Sequence, residues 1–210
     1  RAEYVKNLAS TCNTAYKPKT LKTSYGKTVT ITTGNYGWKI DHEGDGSSRE
    51  LIKMGADIQE PEYSQKAASH SGNDYGNTYV EINLTAQHLY FYANGKLLVE
   101  SDFVSGNAAK GWSTPAGAYS ITYKQEATLK GQGYATPVSY WMPFNGGIGF
   151  HDATWQVYFG GDRYTYARIM DVSICRWMQQ LLFTALLNQC ADRVLLLKDH
   201  LSDRKIAVSS

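Results

Sequence analysis

Short runs in which apolar and polar residues alternate, separated by glycine-bearing turns, dominate the chain between Lys27 and Lys124. Lys27-Thr28-Val29-Thr30-Ile31-Thr32 has the period of a half-buried strand, and Thr33-Gly34-Asn35-Tyr36-Gly37-Trp38 turns it. The same alternation returns in Thr78-Tyr79-Val80-Glu81-Ile82-Asn83-Leu84 and in Gln87-His88-Leu89-Tyr90-Phe91-Tyr92. Asn94-Gly95 follows, and because both residues tolerate positive φ it predicts a tight hairpin into a strand over Lys96 to Ser105. Gly106 to Gly111 reads as a loop, Thr114-Pro115-Ala116-Gly117 as a turn, and Ala118 to Lys124 as a further strand. Helical spacing is confined to two places. Arg49 to Met54 lies behind the N-cap candidates Ser47 and Ser48 and ends at Gly55, and Trp177 to Leu187 carries Leu181, Leu182, Ala185 and Leu186 on one face. Asp192 to Leu197 has the makings of a last strand.

The polar stretch from Glu60 to Asp74, with Pro61 at one end and Gly72 near the other, reads as a linker with a boundary near Gly76. The pattern therefore predicts a small α+β piece over residues 1–74 and a mainly β domain, sandwich or barrel, over 75–210.

Composition supports this picture. Sixteen tyrosines, 19 glycines and a charged fraction of only 19% suit pleated sheets with an aromatic surface, and 210 residues can bury a real core. A net charge of +2 is too small to suggest a nucleic-acid partner. No run approaches the ~20 apolar residues needed to cross a bilayer, and Arg1 to Lys6 lacks the apolar centre of a signal peptide. Cys12, Cys175 and Cys190 are too few and scattered for a disulfide framework or a zinc site. His42, His70, His88, His151 and His200 lack ligand spacing, so no metal and no cofactor is expected.

Candidate chemistry concentrates in Gly146-Gly147-Ile148-Gly149-Phe150-His151-Asp152-Ala153-Thr154-Trp155, followed by Phe159-Gly160-Gly161-Asp162-Arg163-Tyr164. Glycines let a backbone approach a ligand closely, aromatic residues can wall a cleft, and an imidazole among them can exchange protons. His151 is the catalytic candidate, with Tyr140, Gly149, Phe150, Trp155, Gly160 and Gly161 as candidate substrate contacts. The same setting also suits a packed structural histidine.

Thr78-Tyr79-Val80-Glu81-Ile82, Gln87-His88-Leu89-Tyr90, Thr114-Pro115-Ala116-Gly117-Ala118-Tyr119 and Gly147-Ile148-Gly149-Phe150-His151-Asp152-Ala153, in this order and spacing, resemble the catalytic domain of L,D-transpeptidases of the YkuD type. The piece from Gly34 to Tyr63 is similar to the C-terminal part of the peptidoglycan-binding domain that often precedes it. The resemblance runs from about residue 25 to 167. It implies cysteine-dependent acyl transfer on peptidoglycan stem peptides: a thiolate attacks a stem carbonyl, expels a terminal D-amino acid and passes the acyl group to an amine of a neighbouring stem. It also implies His151 as the partner imidazole, carbapenem β-lactams as inhibitors, and a bacterial, extracytoplasmic location. Membrane attachment is expected only through an anchor outside these residues.

The family's second motif, Gly-Ser-His-Gly-Cys, is missing. After Ala167 the chain reads Arg168-Ile169-Met170-Asp171-Val172-Ser173-Ile174-Cys175-Arg176, so the expected cysteine falls near Val172 and Cys175 comes about three positions late. Back-translated in a shifted frame, Met170 onward permits Gly-Cys-Val-Asn-Met-Pro-Val-Asp-Ala-Ala, the continuation the family carries. The expectation is a frameshift near codon 169, an impaired enzyme, and Cys175 as the remaining nucleophile candidate. The competing reading is a non-catalytic peptidoglycan-binding module. A sortase-like cysteine transpeptidase lacks its Thr-Leu-x-Thr-Cys run here, and a metal hydrolase lacks clustered ligands.

Overall fold

The structure, a computed structural model, describes residues 11–41, 61–131, 133–166 and 172–174, together with the backbone of 193–197. The chain is mainly β, as the alternation predicts. Its strands are β1 (Lys19–Lys22), β2 (Thr28–Ile31), β3 (Lys39–Ile40), β4 (Tyr63–Gln65), β5 (Tyr79–Asn83), β6 (His88–Ala93), β7 (Lys96–Asp102), β8 (Gly117–Ser120), β9 (Gln125–Gly131), β10 (Tyr134–Asn145), β11 (Ile148–Asp152), β12 (Val172–Ile174) and β13 (Arg193–Leu197). One sheet has the order β7-β6-β5-β13-β8 and a second β12-β11-β10-β9, while β1-β2 and β3-β4 form two small ribbons.

The alternation of β6 puts Leu89 and Phe91 inward and leaves His88, Tyr90 and Tyr92 half-buried. Val80 and Ile82 of β5 join them, and Met142, Phe144, Phe150, Val172 and Ile174 of the second sheet complete one apolar core. Asn94 and Gly95 take φ of +50 and +77, the predicted tight hairpin between β6 and β7. Burying the largest of these side chains stabilises the fold by roughly 1.5–3 kcal/mol each.

The other face of β5 is covered as well. A second cluster, Leu21, Ile31, Tyr36, Tyr75 and Ala118, joins the N-terminal residues to β8. The amides of Asn35 and Tyr36 donate to the Ala118 carbonyl at 3.0 Å, and the Ala118 amide donates to Thr33. Glu81, fully buried on β5, accepts from the Ser24 amide at 3.0 Å and the Ser24 hydroxyl at 2.8 Å. Burial pushes its carboxyl above the ordinary value of 4.5, opposed by the bonds from Ser24.

Residues 61–74, expected as a linker, are structured. Tyr63–Gln65 pairs with β3, the Trp38 indole N–H donates to the Ser69 carbonyl at 2.7 Å, and Lys19 forms a buried ion pair with Asp74 at 2.6 Å. A polar composition misleads here because a few of its groups, among them Gln65, the Ala68 amide, the Ser69 carbonyl and Asp74, bond to the N-terminal layer while many of the other side chains stay exposed. The helix expected at 49–54 lies outside the described residues, as does the one at 177–187. The last strand, expected over Asp192 to Leu197, is β13, and it sits between β5 and β8.

Gly34 has φ of +101, and a Cβ there would lie 2.1 Å from the Ala118 oxygen. Gly34→Ala is expected to cost about 3 kcal/mol in chemical denaturation, whereas Gly26→Ala, with φ of +85 but open space around it, should cost only about 1 kcal/mol. Glu81 supplies a pH prediction. Its folded carboxyl holds the proton to higher pH than the unfolded one, so its contribution is full below 4.5 and is lost as pH rises through the folded value. Glu81→Gln should flatten that decline in urea midpoints measured across acid to neutral pH.

Candidate active site

The site is built on β11. Gly146, at φ of +58, turns the chain, and β11 returns antiparallel to β10, with Trp141 opposite His151, Met142 opposite Phe150 and Pro143 opposite Gly149. Strand alternation sends Phe150 into the core and His151 to the opposite face. On the far side β12 runs parallel to β11 and sets Ser173 beside His151. The imidazole thus lies between Trp141, at 6.4 Å between ring centroids, and the Ser173 hydroxyl, with Trp155 stacked on it at 5.8 Å and 20°.

His151 is only 3% exposed. Its Nδ1 lies 3.0 Å from the Asp152 carbonyl oxygen, which can only accept, so Nδ1 carries the proton. Nε2 is then a bare acceptor, 3.1 Å from the Ser173 Oγ. Burial holds the imidazole below its ordinary value of 6.5, while the Asp152 carbonyl bond and carboxylate charge pull upward. Asp152 is itself buried, and its Oδ1 accepts from the Tyr140 amide at 3.1 Å, tying β11 to β10 beside the imidazole. The result is a neutral base, fixed in one tautomer, facing a hydroxyl.

The other candidate contacts divide. Trp155 is 49% exposed and stacks on the base, and Tyr140 is half-buried on the adjoining strand. Phe150, expected at a substrate surface, is instead a fully buried core residue packed on Phe144 at 5.1 Å. Gly149 is there for close packing, since a Cβ would sit 2.7 Å from the Met142 oxygen and the Pro143 Cα. Gly160 fits similarly against Asp102, with its amide donating to the Phe103 carbonyl at 2.9 Å, so it pins the loop after β11 rather than approaching a ligand. Gly161, at φ of +64, is exposed beside it. Cys175 lies outside the described residues. Ser173 and Trp141 were not anticipated. The one sequence signal for Ser173 is the short apolar–polar–apolar run Val172-Ser173-Ile174, which suits a strand with a polar side chain on one face. Among the described residues no group of three or more histidine, cysteine or acidic side chains could hold a metal ion.

A two-sheet β domain with an oriented, neutral imidazole beside a hydroxyl is laid out for acyl transfer. The family model of the L,D-transpeptidase catalytic domain, YkuD, matches residues 77–169. A cysteine-to-serine mutant of the Enterococcus faecium L,D-transpeptidase is similar over 93% of this chain and 80% of its own, with 29% identity and a TM-score of 0.76. The catalytic domain of the E. faecium enzyme is 35% identical over 58% of this chain and 97% of its own, with a TM-score of 0.50. The same domain acylated by ertapenem gives 35% identity over 58% and 98%, again at 0.50. A search of curated protein sequences gave no match. The chain belongs to the L,D-transpeptidase family.

Ser173→Ala removes the donor that favours neutral Nε2 and opens space for water, so His151 should titrate at higher pH than in the parent protein. Imidazole C–H shifts followed by NMR across the titration read this directly, and an unchanged midpoint would mean that the hydroxyl does not hold the base.

Proposed function

We propose that this cell-wall transpeptidase acts on peptidoglycan stem peptides by acyl transfer at the face around His151, with turnover far below that of an intact family site. The observation that supports it is the state of His151: buried, tautomer fixed by a carbonyl, and Nε2 free to take a proton from a nucleophile. The weakness lies in the second motif. Cys175 is the thiol available for the family's chemistry, but it lacks the preceding His-Gly of the family's motif. Nucleophile and base act as a unit, so the loss is on the order of thousands-fold or more.

The location that fits this substrate is extracytoplasmic, and the N-terminal residues, which the comparison with the E. faecium enzyme also spans, are the part suited to hold the chain on peptidoglycan. Because a relative is acylated by ertapenem, carbapenems are the inhibitor class to expect. A second reading, a non-catalytic peptidoglycan-binding module, is favoured by the hydroxyl rather than a thiol beside His151.

The deciding measurement is release of the terminal D-amino acid from a tetrapeptide stem. The chain as it stands should be nearly inactive, and a version carrying Gly-Ser-His-Gly-Cys after Ala167 should regain turnover that His151→Ala abolishes. If the restored version is also inert, the binding-module reading prevails. Full turnover by the unaltered chain, lost on replacing Cys175, would show that the displaced thiol serves as nucleophile.

A further inference from the structure

The hydroxyl beside the base is held firmly in place. Ser173 is fully buried, and its backbone is clamped on two sides. It is the parallel register partner of His151 on β11, and on the other side its amide and carbonyl exchange hydrogen bonds with Val104 at 2.9 and 3.0 Å. The strand therefore has little freedom to move its side chain away from the imidazole. With Nδ1 committed to the Asp152 carbonyl, the Oγ proton points at Nε2 over 3.1 Å. Nucleophile, base and orienting group stand in the order that activates a serine.

We propose that Ser173 is the acyl-accepting nucleophile of this chain, forming a slowly hydrolysed ester with β-lactam-type acyl donors through general-base help from His151. This rests on the acyl-transfer reading of the His151 face. In the step, Oγ bonds to the donor carbonyl carbon and its proton passes to Nε2. The carbonyl C–N bond then breaks, and the leaving nitrogen takes that proton from Nε2. With a β-lactam the ring opens and nothing departs, so the protein gains the whole mass of the donor. The donor reaches the pair by displacing the indole of Trp155, which stacks on the imidazole and is half exposed. An alkoxide-forming serine is a poorer nucleophile than a thiolate near neutral pH, which makes a trapped ester, rather than turnover, the expected product.

The experiment is intact-mass spectrometry of the full chain incubated with a carbapenem, with fragment ions used to place the adduct between Ser173 and Cys175. The expected result is a single adduct on Ser173, absent in Ser173→Ala and formed on the order of 100-fold or more slowly in His151→Gln. Ser173→Cys, which keeps the fold and supplies a thiol at the same point, should acylate faster than the parent. An adduct on Cys175 overturns the proposal while leaving the transpeptidase reading intact. No adduct on the parent chain but a rapid one on Ser173→Cys overturns it too, since the position is then right and the hydroxyl inert. If neither reacts, both this proposal and the acyl-transfer reading fall.

Discussion

The parallel pairing of three residues, Phe150 to Asp152 against Val172 to Ile174, is the contact on which core and site both depend. On one face it brings Val172 and Ile174, both fully buried, against Phe150 and the rest of the core. On the other it delivers Ser173 to His151. Without β12, β11 would be an edge strand, its outer amides and carbonyls unpaired and its histidine open along one side. The low polarity that keeps the imidazole neutral would go with it. β12 is thus one of the walls, with Trp141 and Trp155, whose burial of the imidazole lowers its pKa.

A similar two-sided constraint acts at β5. Its inward residues, Val80 and Ile82, belong to the main core, while Glu81 faces the N-terminal layer and is held by Ser24. A carboxylate in such a place is tolerated because amide and hydroxyl donors meet it, although burial still raises its proton affinity. The N-terminal residues are therefore packed onto the sheet that carries the main core. The hydrogen bonds to Ala118 add to this contact, and the Lys19–Asp74 ion pair holds the layer itself together.

What could be read in advance follows the physics of each element. The β5–β6–β7 meander was legible because apolar residues alternate with polar or tyrosine ones along β5 and β6, although both faces of β5 are buried, and because an Asn-Gly turn marks the β6–β7 hairpin. β10 was not. Its first half is an exposed ribbon paired with β9, its second half is buried on consecutive positions from Trp141 to Phe144, and Pro137 and Pro143 interrupt the strand signal. The histidine could be picked out from its glycine-rich surroundings. The partners that set its chemistry could not, because Ser173 and Trp141 lie 22 and 10 positions away along the chain and meet it only through sheet register. Phe150 and Gly149 pack against the core and β10, a role the sequence does not reveal because a glycine-aromatic run looks the same whether the close neighbour is a ligand or another strand.

The broken motif separates two demands that are usually met by the same residues. A strand at the position of β12 asks for apolar, β-branched side chains flanking something small, and Val172-Ser173-Ile174 supplies that as readily as many other triplets. Catalysis asks for one particular atom, sulfur, at one point. Tolerance in the first requirement lets the sheet form without the Gly-Ser-His-Gly-Cys signature, and beyond it the chain furnishes Arg193–Leu197 as a strand paired on both sides in the other sheet. The fold thus holds the imidazole and its orienting carbonyl in place with a β12 strand whose sequence is not that signature. Which atom faces Nε2 is decided by register, and in this chain register puts the Ser173 hydroxyl there.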